Sequence, residues 1–235
     1  MVYNFSLDSV LNSVLPVSCG LCDADTHSHL PLCQPCLDEL PVYYPSCPCC
    51  ALPTATAGIC GSCQQRPPAC DWIDSLFLYQ DPLSLLVQQF KFNHKLEYGR
   101  LFAELMAKKI ASLCAPYTAP ELIIPVPLHH SRLRQRGYNQ SWEIARQVSR
   151  LTGISSSHKT CRRIKKTPLQ TALKASERRK NLRQAFSVRI SLQGLHVCII
   201  DDVMTTGSTL EAIASTLKKA GAKTVSGMVV ARAVL

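Results

Sequence analysis

No apolar run in these 235 residues approaches the roughly 18–20 that a membrane-spanning helix needs. Met1 to Val17 lacks a basic leading stretch and an uninterrupted apolar segment, so no secretory signal is expected. Nowhere does Gly-Lys-Ser/Thr occur, which excludes a Walker A loop. Three spaced glycines after a strand are also missing, which excludes the Rossmann fingerprint. Charged residues make up 18% of the chain, below the usual quarter. Hydrophobic residues reach 46%, enough for a sizeable core at this length, so disorder does not describe the whole.

What is present is unevenly placed. The net charge is +10. Between His129 and Arg189 there are 16 Lys and Arg against 2 Asp and Glu, a balance of +14; the remainder holds 10 and 14, a balance of −4. One segment carries the excess, which points to a phosphate-rich partner, either a small ligand or nucleic acid. Thirteen cysteines are likewise concentrated, eight of them in four CxxC pairs within the first 63 residues. Without a secretion signal a reducing compartment is expected, where paired cysteines usually bind metal.

Three parts follow along the chain. Phe5, Val10, Leu11, Val14 and Leu15 suggest a short amphipathic helix ended near Pro16, docked on its own protein or lying on a membrane surface. From Cys19 to Cys70 the chain is rich in Cys and Pro. From Asp71 to Pro116, Leu83, Leu86, Val87 and Phe90 sit at helical spacing, as do Leu101, Leu105 and Ile110, so two helices broken near Gly99 are expected. From Glu121 onward strands and helices alternate. Leu122 to Ile124 reads as a buried strand, Ser141 to Leu151 as a helix with Trp142, Ala145, Val148 and Leu151 inward, and Val197 to Ile200 as a second buried strand. Thr209 to Ala220 is a helix stopped by Gly221, and Thr224 to Ala231 a further strand. Such alternation implies a parallel sheet. The expected division is a zinc-binding module over 1–70 and an α/β domain over 71–235 with a helical lead-in at 71–118.

The strongest signal is Val197–Thr209, VCIIDDVMTTGST. A buried strand ends, two acids follow, and a Thr/Gly/Ser loop enters a helix. Consecutive N–H groups before a helix form an anion site. Thr205, Thr206, Ser208 and Thr209 add hydroxyls, and Gly207 permits positive φ and close backbone approach. Asp201 and Asp202 would repel a phosphate but suit the cis-diol of a ribose. A diol and a phosphate on one sugar explain why acids and anion donors adjoin. This stretch resembles the phosphoribosyl pyrophosphate signature of type I phosphoribosyltransferases. That likeness implies Asp201 and Asp202 on the ribose hydroxyls and Thr205, Thr206, Gly207, Ser208 and Thr209 on the 5′-phosphate.

Two basic segments accompany the loop. Pro125 to Leu128 precedes Arg132, Arg134, Arg136 and Gly137, an arginine-rich loop after a strand and well placed for a second phosphate. Cys161 to Phe186, with Lys165, Lys166, Arg178 and Arg179, reads as a mobile flap over the sugar-phosphate site; the alternative is a solvated basic helix. Either could contact nucleic acid phosphates, although Tyr138 and Trp142 are the nearest aromatics and base stacking has little support.

The cysteine pairs are Cys19/Cys22, Cys33/Cys36, Cys47/Cys50 and Cys60/Cys63, separated by 10, 10 and 9 residues. Two knuckles complete a tetrahedral zinc site, so four make two closed, structural sites. Sequential pairing is favoured, and interleaved pairing is the alternative. Asp23 follows the first knuckle, where a residue tolerant of positive φ is wanted; Ala51 is less suited to the same place after the third. Cys49 is a spectator and Cys198 a core residue.

In their order, the paired cysteines, PVPL, RxRGYNQ, KTPLQ…ERRKNLRQAF and DDVMTTGST resemble the ComF (GntX-like) competence proteins over almost the whole chain. The likeness implies a type I phosphoribosyltransferase-like parallel sheet with a small N-terminal cysteine-rich zinc module. It also implies a cytoplasmic role, including the inner face of the membrane, in natural transformation. Imported single-stranded DNA would be handled beside a helicase-like ATPase and an inner-membrane channel. Two functions stay open. One is a transferase moving ribose 5-phosphate from phosphoribosyl pyrophosphate with Mg²⁺. The other is a binding module for a sugar-phosphate or single-stranded DNA. No general base or nucleobase pocket stands out, and with the sequence ending at Leu235 little room for a C-terminal hood is expected.

Overall fold

The computed structural model describes residues 17–26, 28–42, 45–113, 119–165 and 184–234. The helix expected before Pro16, Cys114 and most of the basic flap, including Lys166, Arg178 and Arg179, lie outside them.

The frame is a five-stranded parallel sheet. Its strands are β1 (Trp72–Leu78), β2 (Leu122–Pro125), β3 (Ser155–Ser156), β6 (His196–Met204) and β7 (Thr224–Arg232), in the order β1-β7-β6-β2-β3. Parallel neighbours need crossovers, and the chain supplies them as helices α3 (Leu83–Phe92), α4 (Leu96–Leu113), α6 (Gln140–Thr152) and α7 (Ser208–Lys219). A short helix α5 (His130–Arg136) follows β2. Two shorter ones, α1 (Gln34–Asp38) and α2 (Gly61–Gln65), belong to the cysteine-rich part. β6 and β7 read as near-continuous apolar runs because both faces of the sheet are covered.

One core layer packs α3, α4 and α6 on the sheet, with Phe90, Phe102, Met106, Ile144 and Val230 buried. The other packs α7, with Leu210, Ile213, Leu217, Val225 and Val229. Cys19, Leu32, Cys33 and Leu40 enter the first layer, whereas Ala51 and Cys70 enter the second. The two halves of the cysteine-rich part thus rest on different core layers.

Three expectations change. The stretch 71–118 opens with a strand rather than a helical lead-in. In β1 the buried slots are Ile73, Ser75 and Phe77, a period-2 pattern obscured because its middle slot is polar; Ser75 is satisfied locally by donating to the Phe77 carbonyl at 2.9 Å. The break between the two helices falls at Asn93–Lys95, where His94 takes φ 56°. Gly99 lies inside α4, and a Cβ there would stand 2.9 Å from Cε2 of Phe90, so this glycine serves close helix packing. In α6 the inner face is Ser141, Ile144, Ala145 and Val148. That i, i+3, i+4, i+7 stripe leaves Trp142 at its border and Leu151 56% exposed.

The flap's base is visible as an antiparallel pair, β4 (Cys161–Arg163) with β5 (Phe186–Val188). No helix among the described residues is long and apolar enough to cross a membrane.

Candidate functional site

β6 delivers Asp201 and Asp202 to its C-terminal end, and Thr205–Gly207 turn the chain into α7. Gly207 is the N-cap at φ 73°, the left-handed region where a Cβ is disfavoured. The hydroxyls of Thr206 and Ser208 lie 3.0 Å apart. The first turn of α7 presents N–H groups that have no acceptor within the helix, together with the positive end of its dipole. The two acids and the Thr205–Gly207 turn are therefore brought together at the carboxyl end of the central strand.

Both acids also have partners within the protein. Asp201 accepts from the Ser141 hydroxyl at 2.7 Å and from the Asp202 amide at 3.0 Å. Asp202 accepts from the Val203 amide at 2.6 Å and lies 3.0 Å from Lys91 Nζ; it is 8% exposed. Burial and the adjacent Asp202 charge push Asp201 up to about 7, with Ser141 and Lys91 opposing the rise. A diol would exchange hydroxyl for hydroxyl at Asp201, whereas at Asp202 it would compete with the Lys91 ammonium.

Of the arginines expected on a second phosphate, Arg134 is exposed on α5. Arg136 donates to the Gln140 side chain at 3.3 Å and stands over the Phe92 ring. Arg132 is more buried, and that burial lowers its affinity for a proton. Burial disfavours the cation at Arg163 of β4, the Arg132 charge adds to that, and the Asp201 charge opposes it. Lys165 reaches toward Gln184 at the flap base. Lys91, Ser141 and Arg163 were not among the sequence candidates. Ser141 directly follows the RxRGYNQ motif, and Arg163 sits in the basic flap, so both had a signal; Lys91 had none beyond a lysine in the last turn of a helix.

A cavity of about 490 Å³ lies alongside, walled by Tyr138, Trp142, His130, His158, Arg162 and Arg163. Trp142 and His158 have ring centroids 4.7 Å apart. Tyr138 is anchored by donating its hydroxyl to the Phe90 carbonyl. His129, by contrast, is a buried N-cap of α5 that accepts from the Ser131 amide.

The cysteine-rich part repeats one motif. Asp23 donates to the Cys19 carbonyl and Ala51 to that of Cys47, at 2.9 and 2.8 Å. Both donors sit at positive φ, 59° and 53°, so Ala51 takes the conformation for which Asp23 is better suited. Cys33 and Cys60 cap α1 and α2. The thiols form two groups, Cys19, Cys22, Cys33 and Cys36, then Cys47, Cys50, Cys60 and Cys63, each with sulfurs within 4.8 Å of one another. The pairing is sequential, and Cys49 belongs to neither group. Tetrahedral zinc with bonds of about 2.3 Å sets sulfurs ~3.8 Å apart; Cys22–Cys33 and Cys50–Cys60 stand at 3.7 and 3.6 Å. Burial opposes ionisation of Cys19 and Cys47, but backbone N–H groups overcome it and bring them down to about 6 and about 7. Neighbouring thiols hold Cys36 well above its usual range, and burial does the same for Cys63. Four thiols so close ionise together only around a cation, so the donor set fits zinc.

Comparison with known proteins matches these parts. A double zinc ribbon domain matches residues 10–64, and a phosphoribosyl transferase domain matches residues 99–233. DNA utilization protein YhgH of Salmonella typhimurium is 36% identical over 90% of this chain and 95% of its own length. Competence protein F of Haemophilus influenzae is 36% identical over 92% and 90%. Competence protein ComFC of Bacillus subtilis is 26% identical over 74% and 72%. The sheet, the loop at the end of β6, the two four-cysteine clusters and these matches together make the chain a member of the phosphoribosyl transferase family, in the ComF-like group that carries a double zinc ribbon.

Proposed function

We propose that this protein handles single-stranded DNA during natural transformation, in the cytoplasm or at the inner face of the membrane. Its partners there would be a helicase-like ATPase and an inner-membrane channel. The observation that carries the reading is the meeting of Asp201 and Asp202 with a phosphate loop capped by left-handed Gly207. In this reading Asp201 and Asp202 take ribose hydroxyls, and Thr205, Thr206, Gly207, Ser208 and Thr209 take the 5′-phosphate of phosphoribosyl pyrophosphate or a related sugar-phosphate. Arg132, Arg134, Arg136 and Lys165, with Lys166, Arg178 and Arg179 of the flap, take pyrophosphate or DNA phosphates. Zinc holds residues 1–70 as a structural module on the domain at 71–235, and Mg²⁺ accompanies phosphoribosyl pyrophosphate. The names of the relatives, DNA utilization and competence proteins, support the pathway. The aromatic walls of the neighbouring cavity support base contact, because stacking on aromatic side chains tolerates any base.

A second reading, transfer of ribose 5-phosphate to an acceptor, is favoured by Asp201. A carboxyl held near 7 is matched to proton transfer at neutral pH. Incubation with phosphoribosyl pyrophosphate and Mg²⁺, with and without candidate acceptors, separates the two. Acceptor-dependent pyrophosphate release makes the protein a transferase. Salt-sensitive binding of oligo(dT) without such release supports the DNA-handling reading. Absence of binding to either ligand sinks both.

A further inference from the structure

Arg232 closes β7 with its side chain turned away from solvent, 5% exposed. Its guanidinium spans two parts of the molecule that the sequence separates by 182 positions. Nε donates to the Cys50 carbonyl at 2.9 Å. Nη1 donates to the Met204 carbonyl at 3.2 Å and to those of Thr205 and Ala233. Cys50 is a thiol of the second four-cysteine cluster, and Thr205 is the first residue of the phosphate loop. The fixed planar fork aims Nε at one carbonyl and the two Nη1 hydrogens, at least one of them shared, at the other three, a directional spread that a lysine's single ammonium cannot reproduce.

A second tie runs in parallel. The Ala69 amide, just beyond the fourth knuckle, donates to Glu211 at 2.7 Å, and Glu211 stands in the first turn of α7. A cavity of about 290 Å³ between the second ribbon and the loop is walled by Cys50, Cys63, Met204, Gly207, Ser208 and Arg232. The first ribbon has different anchors. Gly20 packs against the Tyr98 hydroxyl, and His29 lies 2.8 Å from Glu104, both partners on α4.

We infer that Arg232 is a positioning residue through which the second four-cysteine cluster, and not the first, sets the conformation of the phosphate loop. The physical basis is that the Cys47–Cys50 knuckle keeps its carbonyls in place only while its two sulfurs, with those of Cys60 and Cys63, are held by metal. When the knuckle loosens, Arg232 loses one of its acceptors, and the Met204–Thr205 carbonyls lose the partner that keeps the loop's N–H groups aimed at one point. Metal occupancy at Cys47, Cys50, Cys60 and Cys63 is thereby linked to sugar-phosphate affinity, in both directions. The link to affinity rests on the phosphate-loop reading above; the link to loop conformation does not.

The test compares full-length zinc-loaded protein with Cys63→Ser, Cys36→Ser, Arg232→Lys and Arg232→Gln. Three quantities are read: zinc content, amide hydrogen exchange over residues 203–209, and the dissociation constant for ribose 5-phosphate. Cys63→Ser and both Arg232 variants are expected to speed exchange over 203–209 and to weaken ribose 5-phosphate by about tenfold. The Arg232 variants should keep the wild-type zinc content, which separates loss of the clamp from loss of metal. Cys36→Ser should speed exchange near Tyr98 and leave 203–209 at the wild-type rate. Wild-type exchange over 203–209 in zinc-loaded Arg232→Lys and Arg232→Gln overturns the inference, and so does equal loosening of the loop by Cys36→Ser. If the wild-type protein fails to bind ribose 5-phosphate, the phosphate-loop reading falls, and the exchange data still decide the role of Arg232.

Discussion

Replacing Gly207 by alanine isolates the backbone's share of the proposed phosphate loop. At φ 73° a non-glycine residue carries a penalty of about 1–2 kcal/mol. The new Cβ would lie 3.6 Å from Met204 Sδ and 4.0 Å from its Cε, ordinary contact distances, so sterics with neighbours add little. For a chain of this size that penalty lowers the melting temperature by about 2–8 °C. If the loop escapes the strain by rotating its peptide groups, ribose 5-phosphate affinity falls by about 5–30-fold, the same free energy appearing as lost binding. Thermal denaturation and calorimetric titration with ribose 5-phosphate read the two consequences separately. Gly207→Asn should recover part of the melting temperature, because asparagine tolerates the left-handed region better than alanine. Wild-type melting and wild-type affinity in Gly207→Ala would together refute the claim that this N-cap conformation builds the anion site.

Further expected outcomes concern Asp201, the two cysteine clusters and Gly99. Asp201 is raised from 3.8 to about 7, so between those values the folded protein binds more protons than the unfolded chain. Stability without ligand therefore declines as pH rises across that window. Affinity for a diol needing an ionised acceptor increases through pH 7, beyond the change due to the ligand phosphate, which Asp201→Asn retains. Lys91→Met removes a neighbouring charge that lowers this pKa, so the midpoint of the pH profile should move upward; an unmoved midpoint counts against the assignment. Metal analysis of anaerobically purified protein should give about two zinc ions per chain, and near-zero metal would refute the reading of the two clusters. Gly99→Ala should lower stability by about 1–3 kcal/mol, since its Cβ would meet the buried Phe90 ring at 2.9 Å; a gain from helix propensity without that loss would show the helix pair to be looser than described.

Legibility in the sequence followed local chemistry. DDVMTTGST and the CxxC pairs are each confined to a few residues whose types suffice to mark the strand end, the loop and the knuckles. The sequential cysteine grouping and the role of Cys198 as a buried strand residue agree with what spacing and hydrophobicity suggested. What escaped notice depends on distant pairing. β1 exists because Trp72–Leu78 aligns with Ser226–Arg232, and nothing near Ser75 announces that partner. Gly99 resembles a helix breaker until Phe90 is seen against it. Lys91 reaches Asp202 across 111 positions of sequence, and Arg232, a charge ending an apolar strand, gives no local sign of the Cys50 carbonyl it binds.

The pairing of β1 with β7 has a consequence for biogenesis. β1 lies at the sheet's edge, and its parallel neighbour β7 follows it in the chain only after every other strand of this sheet. A chain emerging from the ribosome leaves Ile73 and Phe77 without their neighbouring strand until residue 232 has been synthesised. Non-local pairing of this kind slows folding and leaves strand edges open to misassembly, so the wait for β7 is the interval in which this chain is most exposed to wrong partners.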